Sequence, residues 1–490
     1  HLQVVSLLLE KKATLDKPDR EGDTILHKAA IAGHEDVLVT LLNVMRGRPS
    51  TDTTNNDGYS PLDLCVLHKQ CETGDVLVEN GAKLVKDVKK KPPTLFSAVQ
   101  RGLPFLCTFL LKGSPGVGAK SWKNLLAEVN EEGQNPLGVA IASGSSALVE
   151  RLLQGRANVE SMGSNGRRPV HEAAAGGSVS MLKFLETRGA SLDSTDSHGQ
   201  NSLFYAASKN QVQACEWLLS KSLAVLGEDD REQTPMHIAA STGHTAVCKL
   251  LLDHAVADSK HDVSAILQAS DWEGFEPVHL AIRNGHADTC RFFAGHGVEL
   301  HKSLDYGVTT LQLAAEHGHE DVVELLLQDL IARDASGNLV IKDEMAKCRV
   351  SDGRNAWLMS AAEGHLGCCR KFWSVVKDSD ISVSVDRNGR DAMLLAAMRG
   401  HVDACKWLLE VHANPLGLNV VDACKWTPLH AAAAEGRREM VKWMLEARSD
   451  IRAVDEEGRN ARDWAGLRGH MGLDTLFRDA EKLVATSAST

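Results

Sequence analysis

The sequence predicts an all-α solenoid, an array of helix–turn–helix units stacked along the chain. The segment at 234–254, TPMHIAASTGHTAVCKLLLDH, contains two short apolar stripes at helical spacing, separated by a glycine. The same pattern returns at 311–327 and at 427–446. One such pair of helices is too small to bury its own apolar face, so neighbouring pairs must cover it.

The residues at the helix ends of this helix–turn–helix unit can each be explained by backbone chemistry. Thr234 can cap the first helix, and Pro235 suits its first turn because the missing N–H would be unpaired there anyway. Gly243 ends that helix, since glycine adopts a left-handed backbone without strain. The second helix follows with its own stripe, formed by Val247, Cys248, Leu250, Leu251 and Leu252.

These lines resemble ankyrin repeats, whose family pattern is Thr-Pro-Leu-His, two alanines, Gly-His and a run of leucines. The resemblance implies short β-hairpin fingers between repeats, and a concave groove lined by those fingers and the ends of the first helices. It implies binding of protein partners, with contacts from residues flanking the hairpin glycine and from the two residues before the helix-ending glycine.

The glycine position gives the repeat register. It falls at 33, 69, 102, 144, 177, 210, 243, 285, 318, 364, 400, 436 and 469, which predicts about 13 repeats after an opening half repeat. Asn210 occupies one of these positions and tolerates a left-handed backbone nearly as well as glycine. Wider spacings predict insertions, as loops or short helices, near 113–135, 254–270 and 328–350.

We therefore expect a single array over residues 1–482. Its last part, 455–482, is richer in arginine and reads as a polar capping repeat. Residues 483–490 read as a disordered tail. The sequence starts within a repeat and without an initiator methionine, so we expect more protein before residue 1.

Composition narrows the function class. Lys and Arg total 54 against 65 Asp and Glu, a formal net charge of −11, which argues against a nucleic-acid surface. No apolar run approaches the length of a membrane span. Cysteines recur five residues after the glycine position, where a small buried hydrophobe fits, and reduced thiols favour a cytoplasmic location: Cys107, Cys215, Cys248, Cys290, Cys369 and Cys405.

Most of the 21 histidines fall in two repeat slots. His27, His171, His237, His279 and His430 occupy the Thr-Pro-Leu-His slot, and the resemblance assigns them to structural hydrogen bonds. The same assignment applies to those that follow the glycine: His1, His34, His244, His286, His319, His365, His401 and His470. We expect no metal site.

One segment imitates a phosphate-binding loop. Residues 113–121, GSPGVGAKS, place Ala119 between the second glycine and the lysine, and a helix rather than a strand precedes them. No nucleophile or acid–base setting is recognisable elsewhere. The sequence therefore predicts no cofactor and no catalysis within these residues.

Aromatic side chains on the fingers are the first candidates for partner contacts, because apolar rings at hairpin tips often anchor interfaces. Trp272 and Phe275 share one finger, Tyr306 lies on the next, and Arg283 ends the helix between them. We predict a partner-binding patch over 272–306. Tyr59 and Trp426 lie on other fingers and are further candidates.

A second candidate surface is basic. Arg354, Arg387, Arg390 and Arg399 occupy contact slots of two adjacent repeats, where they could bind an acidic peptide or protein surface. Dispersed, solvated charges are the alternative interpretation.

The function favoured by the sequence is a non-catalytic scaffold or adaptor that binds partner proteins. Two alternatives stay open. The repeats could be the regulatory or targeting arm of a larger enzyme or channel, or a structural subunit of a large cytoskeletal or ciliary-type assembly.

Overall fold

The computed structural model describes residues 2–11, 13–15, 17–45, 51–68, 70–82, 95–100, 107, 126–127, 129–131, 133–258, 262–304, 307–333, 339–341, 351–376, 383–411 and 417–487. The chain falls into two compact units, residues 1–230 and 231–490. Each is built from helix pairs that follow the repeat register.

In the first unit, the helices of successive repeats pack side by side, as Pro169–Ala175 does against Ser202–Ser208. Buried alanines in the first helices allow this close approach, since they add little bulk. The helices are Leu2–Glu10, Ile25–Ala32, Glu35–Val44, Pro61–His68, Cys71–Glu79, Leu95–Gln100, Pro136–Ala142, Ser146–Gln154, Pro169–Ala175, Val179–Thr187, Ser202–Ser208 and Val212–Ser220.

The second unit repeats this arrangement. Its helices are Pro235–Ser241, Thr245–Asp258, Val263–Leu267, Pro277–Arg283, Ala287–Gly295, Thr310–Glu316, Glu320–Leu330, Ala356–Ala362, Leu366–Val376, Ala392–Arg399, Val402–Val411, Pro428–Ala434, Arg438–Glu446, Ala461–Leu467 and Asp474–Ser487, with 3-10 turns at Gly417–Asn419 and Met471–Leu473. The predicted all-α repeat fold is confirmed.

The helix ends follow the sequence signals. Gly243 has a φ of +74°, and the ring of His286 from the next repeat lies where a Cβ would be. A side chain at this position would be strained and would collide with that ring. Asn210 has a φ of +56°, which confirms that it takes the glycine role in its repeat.

The fingers are tight turns, and in many of them an aspartate side chain accepts N–H groups of the turn. In the finger that carries Trp272, Asp271 Oδ1 accepts the N–H groups of Glu273 (3.1 Å) and Phe275 (2.9 Å). The N–H of Trp272 donates to the carbonyl of Arg231 on the previous finger, at 3.1 Å. These fingers are too short to form strands of their own.

One insertion differs from the expectation. The 328–350 insertion contains an antiparallel pair of strands, Ile331–Arg333 and Leu339–Ile341, with Ala332 opposite Val340, where we expected a loop or short helix. Ile331, Val340 and Ile341 are β-branched and favour an extended backbone over a helix.

The other two insertions are described to different extents. The 254–270 segment contains the short helix Val263–Leu267, which buries Ile266 and Leu267 and is capped by Asp262. Most of the 113–135 insertion lies outside the described residues.

The final repeat ends in the helix Asp474–Ser487, which extends into the predicted disordered tail because its amphipathic pattern continues through Leu483. Arg462 holds this helix through Asp474 (2.6 Å) and Glu481 (3.1 Å). Among the described residues, no helix is both long and apolar enough to cross a bilayer.

Candidate partner-binding surface

Among the described residues of the predicted patch, Trp272 is the most exposed aromatic residue. Its backbone is fixed by the Asp271 turn and by the bond to the previous finger, yet 63% of the residue is accessible to solvent. Trp272 is therefore an exposed apolar ring on a fixed backbone, and it contributes nothing to the core.

Phe275 and Arg283 lie together. The guanidinium carbon of Arg283 is 5.0 Å from the centre of the Phe275 ring, a cation–π contact between the finger and the end of the first helix. The carbonyl of Phe275 accepts Nε2–H of His237 at 3.1 Å, and the carbonyl of Arg283 accepts Nε2–H of His319 at 2.7 Å. Backbone bonds to both neighbouring repeats thus fix this pair.

The other predicted aromatics differ in their surroundings. Tyr306 lies outside the described residues. Tyr59 is half-buried, and its carbonyl accepts Nε2–H of His27 at 3.0 Å. Trp426 is also half-buried, and its ring centre lies 4.7 Å from that of Trp464 in the final repeat. Trp426 therefore packs against a neighbouring repeat, in addition to any contact with a partner.

The predicted basic surface is largely neutralised. The buried carboxylate of Asp386 lies 2.8 Å from a guanidinium nitrogen of Arg390 and 3.7 Å from one of Arg354. Neighbouring fingers are tied in the same way elsewhere, as when Gln233 donates to Asp271 at 2.9 Å. Arg354 and Arg390 therefore belong to the packing between fingers.

Arg387 and Arg399 remain exposed. Arg387 donates to the carbonyl of Ser351 at 3.3 Å, and Arg399 forms an ion pair with Glu363 at 3.2 Å. The structure brings neither into a cluster of free positive charge. A partner contact by any of the ten predicted residues stays a prediction.

Two groove residues were missed by the sequence reasoning. Tyr205 donates its hydroxyl to Asp196 at 2.6 Å, and Trp464 donates Nε1–H to Asp455 at 2.7 Å. An arginine stacks on each ring, Arg167 on Tyr205 at 4.6 Å and an equivalent arginine on Trp464. Both aromatics stand in the first helix of their repeats rather than on a finger. Their positions are visible in the sequence.

The histidines of the Thr-Pro-Leu-His slot have the predicted structural role. His430 accepts the N–H of Thr427 at Nδ1 (3.2 Å) and donates Nε2–H to the carbonyl of Arg459 on the next finger (3.1 Å). This geometry requires the neutral imidazole. Burial lowers the pKa of His430, and it lowers the pKa of His171 and His279 in the same way.

These lowered pKa values predict acid sensitivity. An unfolded histidine takes up a proton below about pH 6.5, whereas the folded, buried imidazole resists it, so stability present above that pH is lost as the pH falls. We expect the free energy of unfolding to fall by up to about 1.4 kcal/mol per pH unit for each such histidine. Urea denaturation at pH 7.5 and pH 5.5, followed by circular dichroism, measures this slope.

The chain contains a matched control for that prediction. Gln312 occupies the same slot, accepts the N–H of Thr309 at 3.0 Å and donates to the carbonyl of Arg354 at 3.3 Å. His430→Gln should keep stability at pH 7.5 within about 1 kcal/mol and flatten the pH slope. An equally steep slope in this variant would show that the acid sensitivity arises elsewhere.

The described residues contain one acidic group with spacing that could suit a metal ion, Asp19, Glu21 and Asp23. The ammonium of Lys28 already lies 2.8–3.0 Å from all three carboxylates. This lysine supplies the positive charge that a cation would supply.

The described cysteines are all free thiols, and most are buried. Burial raises the pKa of Cys248 and Cys290 to about 12. Such thiols stay protonated at neutral pH, so they pack as small hydrophobic groups and are poor nucleophiles.

Comparison with known proteins agrees with the repeat geometry. Residues 1–88, 95–196, 170–262, 257–336 and 357–455 match the family model for ankyrin repeats (three copies). The p105 subunit of nuclear factor NF-kappa-B from Rattus norvegicus is 32% identical over 146 residues, which are 29% of this chain and 14% of that protein. The Gallus gallus p105 subunit is 27% identical over 148 residues, 30% of this chain and 14% of that protein. The chain thus spans about a seventh of the length of these curated relatives.

Proposed function

This chain belongs to the ankyrin-repeat family, and on that premise we propose that it is a non-catalytic scaffold or adaptor that binds partner proteins through its fingers and groove. Ankyrin repeats generally mediate protein–protein interaction. The family relationship indicates the class of function. The position of the binding site must be argued from the surface residues of this chain.

The observation that carries the proposal is the exposure of Trp272. An indole on a fixed finger backbone has only two side-chain torsions to lose when a partner covers it. Tryptophan is also among the residue types most enriched in energetically dominant interface contacts. Phe275 and Arg283 extend the surface from the tip toward the groove. Tyr306 would continue it on the next finger.

The free, buried cysteines support two further parts of the proposal, the cytoplasmic location and the non-catalytic role. Free, buried cysteines are those of a protein in a reducing compartment, so we place the scaffold in the cytoplasm. Their raised pKa values and the hydrogen bonds of the slot histidines support a non-catalytic role, because these groups already serve the fold.

A second candidate is a regulatory or targeting arm of a larger protein. The matched segment in the p105 subunits makes up 14% of those proteins, so comparable repeats occur there within a much longer chain. The same finger surface would then bind another part of that protein or its regulator.

The test is affinity purification with quantitative mass spectrometry, using the wild-type chain and Trp272→Ala. We expect at least one partner to fall about tenfold or more, as for an interface residue of high energetic weight. Met162→Ala is the matched control, since Met162 is a 58% exposed apolar residue outside the patch. Partners unchanged by Trp272→Ala, or reduced equally by both variants, would contradict the proposal.

A further inference from the structure

Arg283 and Arg387 are the arginines of the predicted surfaces that have no carboxylate partner among the described residues. Arg387 instead donates to the carbonyl of Ser351. Arg399 pairs with Glu363, and Arg390 pairs with Asp386. Arg283 is half-buried on the Phe275 ring and forms no ion pair with any residue that the structure describes. Its charge is thus partly withdrawn from water, and no described residue accepts a hydrogen bond from its N–H groups.

The contact with Phe275 orients this guanidinium. Stacking engages one face of the planar group, whereas the N–H donors point outward in its plane, where two of them can bind one carboxylate. The helix end that carries Arg283 is itself fixed, since its carbonyl accepts the His319 bond. Little freedom remains to be lost when an acidic group binds.

Two of the three acidic residues near Arg283 on this finger already have partners. Glu276 is buried and pairs with Lys302, and Asp271 accepts the turn N–H groups and Gln233. Glu273 is exposed on the finger but makes no ion pair with Arg283. Among the described residues, Arg283 is thus a positive charge without an ion-pair partner. It contacts the ring of Phe275, on the finger that also carries the exposed Trp272.

We propose that Trp272 and Arg283 together bind a peptide segment of a partner protein that carries an aspartate or glutamate beside an apolar side chain. The carboxylate would take the free N–H groups of Arg283, and the apolar side chain would pack on Trp272. This inference rests on the proposed function and names the chemistry of its partner. A single guanidinium favours a carboxylate over a phosphorylated side chain, which is usually bound by a cluster of arginines.

Selection from a random 12-residue peptide display library on the purified full chain tests this directly. We expect the enriched peptides to share an acidic residue beside an apolar one. Arg283→Gln should weaken the best of these peptides about 10- to 100-fold, because it removes a charge-assisted pair. Arg478→Gln is the control, because this exposed arginine pairs with Asp474 outside the predicted surfaces, and it should change the affinity less than about twofold.

A double-mutant cycle separates the possible outcomes. If the carboxylate contacts Arg283, changing the peptide's Asp to Asn, or its Glu to Gln, costs affinity in the wild type but little more in Arg283→Gln. Additive losses, or selected peptides without an acidic residue, would overturn the inference even if their binding depended on Trp272. Peptides indifferent to Trp272→Ala, or a library that yields none, would overturn the proposed binding site as well. Thermal melts of each variant show that lost binding does not reflect unfolding.

Discussion

Trp357→Ala is expected to lower the free energy of unfolding by about 3–5 kcal/mol, the range for removing a large aromatic side chain from a core. Trp357 is 1% exposed and lies in the first helix of its repeat. Its ring centre is 5.9 Å from that of Trp373 and 6.5 Å from that of Trp407. These two rings come from the second helices of the same repeat and of the next, so the cavity would loosen both repeats.

A phenylalanine at the same position separates packing from hydrogen bonding. Nε1 of Trp357 is buried and has no hydrogen-bond partner among the described residues. Trp357→Phe removes that unsatisfied donor while keeping much of the ring, so we expect a loss below about 1.5 kcal/mol. Urea denaturation followed by far-ultraviolet circular dichroism measures both variants. Equal losses for alanine and phenylalanine would show that the indole N–H contributes through a bond that the structure lacks.

The repeat register was predictable because it depends on local backbone requirements. Gly243 and Asn210 both have positive φ, and Pro235 sits in the first turn of its helix. Few residue types meet each requirement, and each requirement falls at a fixed position of the repeat. The repeat register can therefore be read from the sequence. The His430 bonds follow the same logic, because the partner carbonyl comes at a fixed place in the next repeat.

The surface was less predictable because side-chain pairing depends on what a neighbouring repeat carries. From the sequence, Arg354 was predicted to be a partner-contact residue. In the structure it lies beside Asp386, 32 positions later in the chain. Trp426 was likewise predicted to be a finger aromatic that contacts a partner. In the structure its ring packs against that of Trp464 in the next repeat. Sequence spacing gives the slot of each residue but not the length and direction of the opposite side chain. Trp272 stayed exposed because no described neighbour supplies such a partner.

Asp386→Ala tests the pairing that removed two arginines from the predicted basic surface. The Asp386 side chain has no solvent exposure, and besides Arg390 and Arg354 it accepts the backbone N–H groups of Asn388 (2.9 Å) and Arg390 (3.0 Å). Removing it leaves the largely buried guanidinium of Arg390 without its carboxylate and opens the finger turn. Arg354 then keeps only its contact with Asp352 at 3.6 Å. Breaking a buried ion pair on one side typically costs about 3–5 kcal/mol, and we expect a loss of that size in urea denaturation.

Asparagine at this position isolates the contribution of charge. Asn55 occupies the equivalent position of its own finger, where Oδ1 accepts the N–H groups of Asp57 (3.1 Å) and Tyr59 (2.9 Å). Asp386→Asn should therefore keep the turn while losing the ion pairs, with a loss of about 1–3 kcal/mol. Because the charge pairs are then already gone, adding Arg390→Gln to Asp386→Asn should cost little further stability. If Asp386→Asn is as stable as the wild type, the arginines do not need this carboxylate, and they are available to a partner after all.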